Sequence, residues 1–249
     1  YLERIEAASP EAGSVSLDAD THMSPGSLTA ARHGVGGNIA AVDAVMTGEA
    51  EAAFVGCRPP GHHAETETSM GFCLFGNVAI AAKHALERHG LSRVAIVDFD
   101  VHHGNGTQDL LWNDDRVLFV SSHEMPLFPG TGAASENGAH GQIVNVPLAS
   151  GSGRREMREA YKDVVFPRLN DFAPELLLIS AGFDAHISDP LASLRWTPED
   201  FAWVTDWLCD VALTHCGGRV VSTLEGGYDL DALAVSAAAH VETLKERLT

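Results

Sequence analysis

The chain has 249 residues, the length of one large domain or two small ones, and 34 Asp and Glu against 16 Lys and Arg give a formal net charge of −18. So acidic a surface argues against nucleic-acid binding, which needs basic patches to displace counterions, and 45% hydrophobic with 20% charged residues excludes a disordered chain. No apolar run approaches the ~20 residues of a membrane span, and no leader-like segment follows Tyr1. In chain order, residues 27–47 read as a helix, with Ser27 as its cap and Leu28, Ala31, Val35, Ile39 and Val42 at helical spacing. Ala53–Cys57 is a short apolar run, and 77–89 a helix with Val78, Ala81, Ala82 and Ala85 on one side. Arg93–Val97, Val117–Ser121 and Ile143–Val146 read as strands, and 154–172 as one long helix. Leu176–Ile179 is apolar throughout, as a strand buried on both faces should be. A helix over 198–214 has Thr197 as cap and Pro198 in its first turn; strand Val220–Leu224 and a helix over 229–247 follow. No internal repeat or low-complexity linker interrupts this alternation. It predicts a single α/β domain with a mostly parallel sheet and helices on both faces.

The unusual polar clusters all follow strands. Arg58-Pro59-Pro60-Gly61-His62-His63 follows the first, Asp98 to Gly106 the second, and Ser121-Ser122-His123 through Gly132 the third. Gly182-Phe183-Asp184 and Glu225-Gly226-Gly227-Tyr228 follow the last two. Ligands of open α/β sheets bind outside the carboxyl ends of the strands, so five loops are expected to converge on one edge. In an extended stretch Asp98, Asp100 and His102 would share a face, offering two hard oxygens and one imidazole to a divalent metal, with Asp184 completing the set from another loop. Two carboxylates and one imidazole leave a coordination position open, as a catalytic metal requires.

His62-His63, after a rigid Pro-Pro-Gly turn, reads as a base and an acid tuned apart by different partners, with metal ligation the open alternative. Tyr228 on its glycine hinge reads as a hydrogen-bond donor to a polarised carbonyl, or as a residue closing the turn. Gly104-Asn105-Gly106-Thr107 and Pro129-Gly130-Thr131-Gly132 read as loop glycines, without the spacing or the Lys of a phosphate loop. Cys57, Cys73, Cys209 and Cys216 are scattered, with no CxxC pair, and read as small buried hydrophobes in a reducing, cytoplasmic compartment.

The segments RPPGHHAE (58–65), GFC (71–73), VDFDVHHGNGTQ (97–108), FPGTG (128–132), SAGFDAH (180–186), DPL (189–191) and LEGGYDL (224–230) resemble the histone deacetylase superfamily, in wording closest to its class II and bacterial deacetylase-like amidohydrolases. The resemblance runs from about Ser24 to the C-terminus. It implies an arginase/deacetylase-type α/β fold over 1–249, without the family's usual first strand, and removal of acetyl or other short acyl groups from lysine side chains or related amines. It further implies one catalytic Zn2+ on Asp100, His102 and Asp184, and a proton-transfer pair His62 and His63 oriented by Asp98 and Asn105. Tyr228 would polarise the scissile carbonyl, and Gly71, Phe72, Phe128 and Leu191 would form the acyl channel. A K+ would lie beside the zinc on oxygens of Asp98, Asp100, His102, Ser121 and Ser122. Asn105 stands where class I members carry Asp, and Asp20 falls where a rim residue that holds substrate is sought. The partners implied are an acetylated lysine peptide or protein, or an acetylated amine, with no nucleic acid and no membrane; an oligomer stays open.

Three rival readings meet specific obstacles in the sequence. A ureohydrolase needs a second metal and a third acidic ligand in an Asp-x-His-x-Asp pattern, and here that position is Gly104. A non-catalytic acyl-lysine binding module would have lost a metal ligand or Tyr228. A nucleotide-binding flavodoxin-like domain lacks its phosphate loop. An acetylpolyamine amidohydrolase shares all the chemistry and stays as the alternative substrate reading.

Overall fold

Which elements form follows from the pattern of burial, and the computed structural model describes residues 1–249. Helix α1 (Leu2–Ala8) and a two-stranded antiparallel ribbon, β1 (Val15–Ser16) with β2 (His22–Met23), open the chain. Neither was expected: the ribbon is too short for alternation to show, and α1 buries only Ile5, against Met23, Ala31 and Leu74. Helix α2 (Ser27–Thr47) matches its expected bounds, but Ser27 does not cap it. Gly26 is the cap residue, with φ at 92°, and the Ser27 hydroxyl instead accepts from the Ser24 amide.

Strand β3 (Ala52–Val55), helix α3 (Asn77–His89), strand β4 (Val94–Asp98), helix α4 (Asn105–Leu111), strands β5 (Val117–Glu124) and β6 (Ile143–Leu148) follow. The helix expected over 154–172 is α5 (Arg154–Ala160), one π-helical turn (Tyr161–Val165) and α6 (Phe166–Phe172). Strand β7 (Leu176–Ala181), helix α7 (Pro198–His215), strand β8 (Val220–Leu224) and helix α8 (Leu230–Leu248) complete the chain. Thr197 caps α7 as expected, in a reciprocal pair with Asp200.

The main sheet is parallel throughout, in the order β3-β8-β7-β4-β5-β6. From β3 through β6 the chain winds one way, and α2, α3 and α4 cover one face: Ala79, Ala82, Leu86 and Leu111 pack with Val94, Ile96 and Phe119. The chain then returns to the other side of β4 as β7 and β8, and its helices change faces. Met157, Leu169, Phe201 and Leu208 pack with Ala95, Val97, Leu118 and Ile179. Right-handed crossovers require that change when the winding direction reverses. The reversal falls between β4 and β7, whose residues are buried on both faces, so the loops after these two strands flank the crevice where such sheets bind ligands.

Candidate active site

The loops after β4 and β7 bring three side chains together. The ligand atoms of Asp100, His102 and Asp184 lie within 4.8 Å of one another, and all three residues are buried. His102 Nδ1 is 3.2 Å from Asp100 Oδ1 and 3.1 Å from Asp184 Oδ2. Backbone amides hold the remaining oxygens: Gly226 N–H donates to Asp100 Oδ2 (2.8 Å), and Val101 N–H to Asp184 Oδ1 (2.9 Å). A Cβ at Gly182 or Gly226 would overlap these carboxylates, which is why glycine stands in both strand-end loops.

Asp98 does not join this cluster, contrary to the shared-face expectation. The chain bends after β4: Asp98 Oδ1 accepts the Asp100 amide and Asp100 Oδ1 the His102 amide, so the stretch turns instead of staying extended. Asp98 Oδ2 instead accepts from His62 Nδ1 at 3.0 Å.

The tandem histidines have different surroundings. His62 is buried, with Nε2 3.8 Å from Asp100 Oδ1. Burial pulls its pKa down, but the Asp100 and Asp98 charges win and hold it well above the usual imidazole range. His63 lies on the cavity wall. Burial and then the neighbouring His62 charge push it well below that range. Asn105 Nδ2 donates to Glu65 Oε1 (2.7 Å), so Asn105 Oδ1 accepts the His63 Nδ1–H (2.7 Å) and Nε2 is left as the basic nitrogen.

Four carboxylates, Asp98, Asp100, Asp184 and Glu225, are fully buried here, and no Lys or Arg is buried anywhere in the chain. Burial and then the Asp100 charge raise Asp184 to about 6, and burial raises Asp98 to about 6 and Glu225 to about 7. Burial lowers His102, but its bonds to Asp100 and Asp184 outweigh that and bring it to about 10. Buried carboxylates with no buried Lys or Arg to neutralise them favour a bound cation. Two carboxylates and one imidazole converging on one point therefore suit a divalent ion such as Zn2+.

Above the cluster opens a cavity of about 300 Å³ lined by Asp20, His63, Gly71, Phe72, His102, Leu127, Phe128, Leu191 and Tyr228. All four expected channel residues are on it, and so is Asp20, whose Oδ1 accepts from the Gly71 amide at 3.2 Å. Gly71 has φ at 55°, and a Cβ there would strike the His63 ring. Phe128 meets His63 edge-on at 5.2 Å, and Phe72 meets Tyr228 at 5.8 Å. Burial raises the Tyr228 phenol, with Asp100 and Asp184 adding to it, so it stays a donor.

Ser121 pairs in register with Asp98, yet its hydroxyl bonds His123 Nδ1, whereas Ser122 bonds the Tyr161 hydroxyl. Strand alternation sends the two serine side chains to opposite faces.

Several supporting residues escaped the sequence reading. Glu225 accepts from the Gly61 and His62 amides (2.7 and 3.1 Å) and from the Ser180 hydroxyl (2.9 Å), fixing the histidine loop to β7. Asp189 accepts from the Tyr228 and Leu191 amides. Residues 104–107, read as loop, contain the start of α4: the Gly106 and Thr107 amides donate to the His62 carbonyl, and a Cβ at Gly106 would overlap the Ala64 backbone. The one available signal was that Glu225 and Asp189 sit inside the two motifs that carry Tyr228 and Leu191.

Comparisons with known proteins agree with this geometry. The family model described as Histone deacetylase domain matches residues 1–244. An uncharacterized protein of Synechocystis sp. is 48% identical over 248 residues, covering 100% of this chain and 78% of that protein. A histone deacetylase-like amidohydrolase of Pseudomonas aeruginosa is 42% identical over 248 residues, covering 98% of this chain and 65% of that protein. The crystal structure of the HDA15 HD domain superposes with a TM-score of 0.92 at 38% identity, covering 98% of this chain and 71% of the other.

Proposed function

The chain belongs to the histone deacetylase family, and on that premise we propose that it is a zinc-dependent amidohydrolase that removes acetyl or other short acyl groups from lysine side chains or related amines. The observation that carries this reading is the convergence of Asp100, His102 and Asp184 beside a cavity whose wall also presents His63, His102 and Tyr228. Asp100, His102 and Asp184 would hold the Zn2+, which supplies Lewis-acid polarisation and acidifies water toward neutral pH. His63, held uncharged with its Nδ1–H on Asn105, presents a free Nε2 lone pair that takes the proton of the attacking water and returns it to the leaving amine. His62, held by Asp98, keeps positive charge beside the carboxylates. The Tyr228 phenol donates to the carbonyl oxygen as it gains charge. Phe72 and Phe128 flank an aliphatic stem and exclude water. A K+ beside the zinc would rest on oxygens of Asp98, Asp100 and His102 and on one of the two serine hydroxyls, Ser121 or Ser122.

The Asp20 carboxylate on the cavity wall suits a substrate N–H or ammonium, which both acetyl-lysine peptides and acetylpolyamines carry. A net charge of −18 favours such cationic substrates at low salt. No helix is long and apolar enough to cross a membrane. All four cysteines are free thiols, which fits the cytoplasmic reading. The test is acetate release by the zinc-loaded enzyme from an acetyl-lysine peptide, an acetylpolyamine and a neutral acetanilide-like amide. Turnover of one of the first two above the third is expected. A preference for the neutral amide would remove the substrate proposal, and no hydrolysis of any of them the enzymatic one.

A further inference from the structure

At the edge where the strands begin, opposite the cavity, a second group of ligand-type side chains converges. Asp43 lies near the end of α2, and His84 and His89 lie on the second half of α3, with His89 its last residue before Gly90. Both imidazoles address one atom: His84 Nε2 and His89 Nε2 are each 2.7 Å from Asp43 Oδ1. The three ligand atoms lie within 4.8 Å of one another. The histidine side chains are 18% and 19% exposed, while the Asp43 side chain is 48% exposed. Lys83 on the same helix pairs with Asp114, and Arg116 with Asp114 and Glu87.

We propose that Asp43, His84 and His89 form a second, non-catalytic site for a borderline divalent cation of the Zn2+ class, clamping α2 to α3. Two imidazole nitrogens and one carboxylate oxygen suit Zn2+ and its transition-metal neighbours and not Mg2+ or Ca2+, which prefer oxygen. His84 and His89 are separated by four residues, inside the H-x3–5-H spacing of structural zinc sites. Zn–N bonds of ~2.0–2.1 Å set tetrahedral ligands about 3.3 Å apart, so the Asp43 oxygen must withdraw by roughly half an ångström. A half-exposed aspartate does this by a small side-chain rotation. Each imidazole then carries its proton on Nδ1 and turns the Nε2 lone pair to the ion, and water takes the fourth position. None of the three residues lines the substrate cavity, so the site leaves the proposed hydrolysis untouched.

The experiment is a calorimetric Zn2+ titration of the chelator-stripped full chain. Wild type should take up two equivalents and the double variant H84A/H89A one, with acetyl-lysine hydrolysis unchanged. Asp184→Ala should also retain one equivalent, which disappears when H84A/H89A is added to it. That arm reads the second site in a chain without the first, so failure of the zinc-amidohydrolase reading and failure of this proposal give different results. If H84A/H89A does not fold, Asp43→Asn keeps the packing and should weaken the second equivalent at least tenfold. Cu2+ in the Asp184→Ala chain should show nitrogen hyperfine structure from two imidazoles. No equivalent in Asp184→Ala, or a second equivalent undiminished in H84A/H89A or in Asp43→Asn, overturns the proposal.

Discussion

Two groups of the same aspartate–histidine chemistry sit at opposite edges of the sheet, and their surroundings separate them. At the carboxyl edge Asp100, His102 and Asp184 are buried on loops, and backbone amides of Val101, His102 and Gly226 hold their carboxylates in fixed directions. At the other edge Asp43, His84 and His89 stand on two helices, partly open to water, with no backbone amide on the carboxylate. Water screens the second group, and an exposed pair of this kind contributes about 0–1 kcal/mol. In the first group charge cannot be screened, so each donor and acceptor shifts the pKa of its neighbours and the fixed dipoles act at full strength. Burial, and not the residue types, separates a centre fit for chemistry from one fit for binding.

The comparison breaks most readily at the buried end. Asp184→Ala should lose the buried zinc and all measurable hydrolysis, well beyond the ~10–100-fold that a removed outer partner typically costs. Metal analysis of the purified variant checks it: an intact buried equivalent would mean that Asp184 is not a ligand. Next, His62→Ala and His63→Ala should each keep zinc and lose ~10²–10⁴ in kcat, His63 because it moves the proton and His62 because it holds positive charge beside the site, neither being a metal ligand. A zinc-free variant in either case would turn that histidine into a ligand.

Tyr228→Phe removes one hydroxyl and should cost ~10²–10³ in kcat on an acetyl substrate, about 3–4 kcal/mol, with zinc content unchanged. A trifluoroacetyl substrate, already activated, should suffer less. A loss within about threefold on the acetyl substrate would leave Tyr228 as a turn residue.

A smaller effect sharpens the contrast through stability. His240 is fully buried, bonded to the Thr205 and Ser222 hydroxyls, and burial lowers it to about 3. The unfolded chain binds this proton near pH 6.5 and the folded one near 3. Its stabilisation is therefore complete above pH 6.5 and lost as pH falls from there to 3, at about 1.4 kcal/mol per pH unit. His240→Phe should flatten the fall in urea midpoint between pH 7 and pH 4 by that slope. An equally steep fall in the variant would show that other groups drive acid unfolding. At the open end, Asp43→Asn measured in chelator should change stability by less than about 1 kcal/mol.

The strand–helix alternation and the five strand-end loops were readable because burial on both sheet faces writes local periodicity into the chain. Leu176–Ile179 could hardly be anything but a central strand. The motif residues Asp100, His102, Asp184 and Tyr228 were readable because each lies within four residues of a strand end, and His63 because it follows the rigid Pro-Pro-Gly turn beyond β3. Distant partners that the motif resemblance did not supply were not readable. Glu225 reaches Gly61 across 164 positions, Asp189 holds Tyr228 across 39, and Asp43 meets His84 across 41. The helical start at Asn105 also hid behind two glycines, which serve close approach to Ala64 and Asp98 and not looseness. The sequence by itself therefore determined the layers, the strand ends and the kind of chemistry collected there. Only the tertiary structure decided which backbone amides fix those carboxylates and how tightly the site is buried, because the winding reverses between β4 and β7 and sets side by side loops that the chain keeps about eighty residues apart, as Val101 and Asp184 are by 83.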